Sequence, residues 1–263
     1  MTRTLSLLAL LLFLTPFSAL HAETLLLEAD LQPGDLIRGE LNSSVYYYGE
    51  DGFRYVFPNE KTYFTWYTNF EDVHMISDED LSHIQIGGNV TYKPGVKMVK
   101  FSSIPTVYAV GARGTLSAIQ TEEIAEELYG TTWNQQIDDL SESLFNSYVI
   151  GDQIDLASEF DADAEQAQAY SISSDKQLAP YTLIEITDEG YESATIYINS
   201  GESVRWLNTA TEAKTATEWN QIWGSGTLKP SEHFTQSFTT LGTWHYYSMN
   251  ADRNYFEGAI IVE

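Results

Sequence analysis

The chain has 263 residues, room for about two domains of ordinary size, and it is 43% hydrophobic with 17 Tyr and 6 Trp, which excludes disorder over most of its length. Its formal charge of −25 speaks against nucleic acid as a partner, because that binding depends on Lys and Arg neutralising phosphates. Cysteine is absent, which excludes disulfides and any thiolate metal ligand.

The chain opens with "MTRTLSLLALLLFLTPFSALHA", in which Arg3 precedes an apolar run and small Ala22 closes the stretch. This pattern predicts a secretory signal peptide over 1–22, because the run is shorter than the about 20 residues that span a bilayer; an uncleaved membrane anchor is the alternative. No later segment is long and apolar enough to cross a membrane. The expected location is therefore extracytoplasmic, secreted or in the cell envelope. Its expected partners are an envelope glycan or protein, with divalent cations suited to the acidic surface.

Next comes an internal repeat. When "VYYYGEDGFRYVFPNEKTYFTWY" (Val45 to Tyr67) is set above "VYAVGARGTLSAIQTEEIAEELY" (Val107 to Tyr129), Val45, Tyr46, Gly49, Gly52, Glu60 and Tyr67 fall on Val107, Tyr108, Gly111, Gly114, Glu122 and Tyr129. The match predicts two α+β repeats, 33–92 and 93–155. In each, strands flank a Gly-x-x-Gly turn, and Asp51-Gly52 is a strong hairpin signal because both positions tolerate positive φ. A helix should follow, capped by Thr121 in the second copy and begun by Asn59 in the first. Ser77 with Asp80, and Asp139 with Glu142, predict a further short helix in each. The repeat resembles modules found in tandem in exported bacterial cell-envelope proteins, a resemblance without a catalytic motif. Tyr46, Tyr47, Tyr48, Phe64, Trp66 and Tyr67 suit either carbohydrate stacking or the core of a small unit, and core is the reading preferred here.

Residues 156–179, rich in Ala, Asp, Glu, Gln and Ser, are expected to form an acidic linker. Asp161, Asp163 and Glu165 alternate as in a calcium loop. The glycine that an EF-hand needs is Gln166, so a solvated charge run is expected instead.

From Tyr181 the pattern turns to period-two strands, "TLIEIT", "ATIYINSGESVRWLN", "HFTQSFTTLGTWHYYS" and "GAIIVE", with no helix signal, which predicts an all-β sandwich or barrel. The order and spacing of these pieces resemble the cupredoxin (plastocyanin-like) family over 180–263. The resemblance implies a Greek-key sandwich and a copper held by His, Cys, His and Met at one pole. Those positions fall on about Lys214, Ser248, Ala251 and Phe256, none of which can serve as expected; no metal, cofactor or catalytic residue is therefore assigned. The loop from Ser248 to Phe256 is read first as a structural closure of the sandwich; the alternative is a ligand surface at that pole made of Lys214, Ser248, Asp252, Arg253 and Phe256. Trp206, Trp244, Tyr246 and Phe256 are expected to pack in the core or its loops.

His74, His83, His233 and His245 are scattered along the chain, and no shared histidine site is expected. The sequence thus predicts α+β tandem repeats followed by a cupredoxin-like Greek-key sandwich, in a non-catalytic binding or adhesion protein. The alternative is a copper-binding or electron-transfer protein with an unconventional site; a cell-wall hydrolase would need a catalytic constellation that neither repeat displays.

Overall fold

The structure, a computed structural model, describes residues 25–249 and 255–263. The signal peptide expected over 1–22 lies outside them, as do Ala251, Asp252 and Arg253. Among the described residues no helix is long and apolar enough to cross a membrane.

The first unit contains β1 (Leu36–Arg38), β2 (Val45–Tyr48), β3 (Arg54–Val56), α1 (Glu60–Trp66), β4 (Val73–Met75), α2 (Asp78–His83) and β5 (Ile86–Asn89). Its sheet runs β4-β1-β2-β3-β5, with an antiparallel centre and parallel edges. The β2–β3 hairpin closes on Gly52, whose φ of +81° is one that a residue with a Cβ rarely adopts. Asn59 accepts from Thr62 N to cap α1, and Ser77 accepts from Asp80 N to cap α2. Strand alternation then divides the side chains between two faces. Leu36, Tyr47 and Tyr55 enter a cluster with Phe57 and Tyr63, while Ile37 and Tyr48 enter another with Ile76, Leu81 and Leu31.

The second unit contains β6 (Met98–Phe101), β7 (Tyr108–Gly111), β8 (Thr115–Ala118), α3 (Glu122–Tyr129), β9 (Ile137–Leu140) and β10 (Val149–Ile150). Its sheet runs β9-β6-β7-β8-β10, again with an antiparallel centre and parallel edges. The two sheets therefore have one connectivity, strand for strand. Thr121 caps α3 through Ile124 N. The second short helix differs from expectation: Asp139 lies within β9, and the 3₁₀ helix Glu142–Ser147 is capped by Ser141. Asp139 is held in the ladder opposite Lys100, so the strand takes the residue that could have capped a helix.

Residues 156–179, expected as an acidic linker, have secondary structure of their own. They form the 3₁₀ turn Ala157–Glu159, α4 (Ala162–Gln168) and α5 (Ile172–Lys176), and they strap both units. Ala157 and Phe160 pack on the second unit, while Ile172 and Leu178 enter the core of the first. The acidic residues have structural work here: Asp161 caps α4, and Glu165 accepts from Ala112 N at 2.7 Å.

The remaining strands are β11 (Thr182–Ile186), β12 (Thr195–Ile198), β13 (Ser203–Asn208), β14 (Thr217–Glu218), β15 (His233–Ser237), β16 (Gly242–Met249) and β17 (Tyr255–Val262). They form two sheets, β11-β13-β15 and β12-β17-β16-β14. The sheets share a core of Ile184, Ile186, Ile196, Ile198, Val204, Trp206, Tyr246, Ile260 and Val262, so this part of the chain is an all-β sandwich. Trp244 and Phe256 pack against the same core.

Candidate functional site

Three places bring chemistry-bearing side chains together. The first is the sandwich pole. Lys214 sits there with only 5% of its surface exposed, its backbone paired in both directions with Leu228 and its Nζ 3.8 Å from Asp188 Oδ1. Asp188 is fixed in turn by Thr211, whose N and Oγ1 donate to it at 3.1 Å. Ser248 is fully buried, and its Oγ accepts from Thr215 N at 3.0 Å. Tyr191 donates to Thr215 O at 2.8 Å, and its ring meets Phe256 edge-on at 4.9 Å. Phe256 pairs with Ser248 across the β16–β17 ladder. The structure thus brings Lys214, Ser248 and Phe256 to one end of the sandwich but turns them inward. Lys214 and Ser248 offer a ligand little surface, because strand alternation and local hydrogen bonds consume both.

The second place is the seam between the first unit and the outer face of β11-β13-β15. Val204 and Trp206 point into the sandwich core, so alternation sends Arg205 outward, and its cross-strand partner Thr235 faces the same way. The Arg205 guanidinium donates to Thr235 Oγ1 at 2.9 Å, to Tyr48 OH at 3.0 Å and to Gly52 O at 2.7 Å, and it covers the Tyr181 ring at 4.3 Å. Gln85 accepts from Thr235 N at 3.2 Å. Two positions along β15, His233 also faces outward, with its Nδ1 3.2 Å from Glu28 Oε1. His83, at the end of α2, places its own Nδ1 3.4 Å from Glu28 Oε2. Burial, with Arg205 and His83 nearby, pushes the His233 pKa down to about 3, so its imidazole is neutral at ordinary pH. Two histidines read as scattered therefore meet on one carboxylate, whereas His74 and His245 remain exposed elsewhere.

The third place is a cleft of about 550 Å³ where both units, the strap and the sandwich meet. Asp51, Phe53 and Tyr55 line it from the first unit, Arg113 from the second, Lys176 and Gln177 from the strap, and Asn199 to Glu202 from the sandwich. Tyr55 donates a short hydrogen bond to Asp51, and Lys176 lies over the Tyr55 ring at 5.0 Å. Burial raises the Asp51 pKa and lowers that of Lys176, in each case against the pull of neighbouring groups. Behind the wall, Asp175 accepts from Arg113 N at 2.7 Å and keeps its Oδ2 buried without a hydrogen bond. The lining combines an aromatic surface, backbone polar groups and both signs of charge, and it includes no histidine. Such a surface can hold a polar ligand by stacking and hydrogen bonding.

No protein-family model matches the chain, and no curated protein matches it. Among solved structures, a Cu(I) form of an amicyanin mutant matches 32% of this chain and 82% of its own, at 18% identity and a TM-score of 0.29. The purple cupredoxin from Nitrosopumilus maritimus matches 31% of this chain and 99% of its own, at 22% identity and a TM-score of 0.28. Similarity to cupredoxins covers about a third of the chain.

Of the aromatic residues considered for stacking, Tyr47 and Tyr48 are buried, and Trp66 is tied by its Nε1 to Thr91 O at 2.8 Å. Phe64 alone among the six is an exposed large hydrophobic, at 43%. Sequence reading missed Glu28, Arg205 and the strap's Lys176. Arg205 had a signal, a charge between two core-facing residues of an alternating strand, which implies that the outer face is covered. Glu28 had none, since nothing local ties it to His83 or His233.

Proposed function

We propose that the chain is an exported, non-catalytic binding or adhesion protein of the cell envelope or extracellular space. In this reading 33–92 and 93–155 are tandem copies of one interaction module, an assignment that their shared strand connectivity supports. The sandwich over 180–263 is a cupredoxin-like scaffold that has lost type 1 copper ligands and serves to organise the other parts. Support for that loss comes from the inward pairing of Lys214 and Ser248 and from the absence of cysteine.

The observation that carries a binding role is the junction cleft, which all parts of the chain contribute to and which presents Phe53 beside Asn199, Ser200 and Asp51. An envelope glycan is the ligand class that such a mixture of aromatic face and hydrogen-bonding groups fits best. The test is sedimentation of purified protein with isolated cell-wall polysaccharide, paired with an assay for released reducing ends. Binding that Phe53→Ala weakens, without sugar release, is expected. Release of reducing ends, or recovery of the native protein from the cytoplasm, would overturn the reading.

A further inference from the structure

We infer that Glu28, Asp80 and His83 form a site for a divalent transition ion of the Zn(II) class, which ties the N-terminal segment to the first unit beside the buried His233 of the sandwich. The ligand atoms of Glu28, Asp80 and His83 lie within 4.8 Å of one another. His233, from β15, faces the other oxygen of Glu28 and flanks that group.

Geometry is the first argument. A tetrahedral ion with bonds of about 2.0–2.2 Å to nitrogen and oxygen sets its ligand atoms about 3.3–3.6 Å apart. His83 Nδ1 lies 3.4 Å from Glu28 Oε2, within that range. The second argument is unmet bonding. Glu28 Oε1 and His233 Nε2 are both buried without a hydrogen-bond partner, and the His233 side chain is 7% exposed. Glu28 Oε1 is thus a buried carboxylate oxygen with no donor of its own, an arrangement that a neighbouring cation relieves. The donor set is the third. An imidazole with two carboxylates and no thiolate suits Zn(II), whereas Ca(II) and Mg(II) prefer all-oxygen shells.

The ligands come from two separate stretches of chain, Glu28 before the first sheet and Asp80 with His83 on α2, so the site acts as a clamp. Because the unfolded chain cannot hold these groups together, bound metal stabilises the folded form. This inference concerns the seam and is independent of the glycan reading of the cleft.

The test uses untagged, chelator-treated protein and Zn(II) alone, with calorimetry for stoichiometry and thermal unfolding for stability. The expected result is a single tight equivalent and a rise of several degrees in the unfolding temperature. His83→Gln removes a partly exposed side chain that folding does not require, and it should weaken binding by roughly 100-fold. His74→Gln and His245→Gln should leave binding intact. Co(II) bound in place of Zn(II) should give the visible absorption of a four-coordinate ion, and His83→Gln should abolish it. Absence of a tight equivalent, or binding that survives His83→Gln, would overturn the inference. Equal affinity for Ca(II) with no dependence on histidine would also overturn it, since that is the behaviour of a diffuse acidic surface.

Discussion

The two N-terminal units share one connectivity and differ in what fills it. In the first, α1 carries Tyr63, which is 1% exposed and stacks with Phe70, touches Phe57 and Phe64 edge-on and lies against Tyr67. At the matching position of the second, α3 carries Ala125, and Ile119 stands where the first has Phe57. The apolar contacts of the second helix are completed by Ala157 and Phe160 from the strap. Strand pairing and turn chemistry therefore set this topology, while the volume of the core is met by whatever the neighbouring chain supplies. The hairpin turns make the same point. Gly52 and Gly114 both hold positive φ, but Gly52 O receives Arg205 from the sandwich, whereas the Arg113 N before Gly114 reaches Asp175 on the strap.

Breaking the aromatic cluster should have the largest effect. Tyr63→Ala is expected to cost about 3–5 kcal/mol, the range for deleting a large buried ring. In the second unit the corresponding perturbation is overpacking, and Ala125→Leu should cost about 1–3 kcal/mol. Chemical denaturation of both variants checks the order; equal losses would mean that the cores are not filled differently. Next is the seam. Arg205→Met should cost about 2–3 kcal/mol, because Gly52 O, Tyr48 OH and Thr235 Oγ1 lose their donor inside a buried contact. Calorimetry should then separate one unfolding transition into two. Gly52→Ala should act in the same direction, since an added Cβ would meet the Arg205 guanidinium and φ is already positive. Gly114→Ala would press instead on Thr91 Cγ2 at 2.8 Å and should leave the seam transition unsplit.

What could be read from the sequence follows the same division. Signals local to a few residues were legible: the Asp51-Gly52 turn, the caps at Asn59, Ser77 and Thr121, and the alternation that buries Trp206 and Tyr246. Features that depend on distant partners were not. The strap read as an acidic linker because Ile172 and Leu178 are isolated apolar residues among polar ones, and the faces of the first unit make them core. The histidines read as scattered because residues 28, 83 and 233 converge through a domain contact that no local period announces. At the pole, Ser248 is bonded by Thr215, the neighbour of Lys214. Their inward orientation depended on Thr215, Asp188 and Tyr191, which carry no motif.

The smallest effect compares two buried carboxylates and has opposite signs at the two ends of the comparison. Asp51 faces burial with a single hydroxyl donor, Tyr55, and one backbone donor, so its pKa is raised. The folded state then holds a proton that the unfolded chain releases, and stability falls as pH rises from about 4, the ordinary carboxylate pKa, through the raised value. Asp138 is also pushed up by burial, but Lys61 at 2.7 Å from the first unit and Lys97 at 2.9 Å outweigh that, and its pKa is lowered. Its contribution is present above the ordinary carboxylate pKa and is lost as pH falls through the lowered one. Asp51→Asn should therefore gain on the parent chain as pH rises towards neutrality. Asp138→Asn should lose on the order of 1 kcal/mol at neutral pH, a modest figure because Lys61 is 60% exposed and screened. That loss should shrink in high salt and disappear in strong acid. Denaturation midpoints measured across pH for both variants decide the matter: profiles that shift in the same direction would contradict the contrast between a carboxylate held by hydroxyl and backbone donors and one held between the two units by lysines.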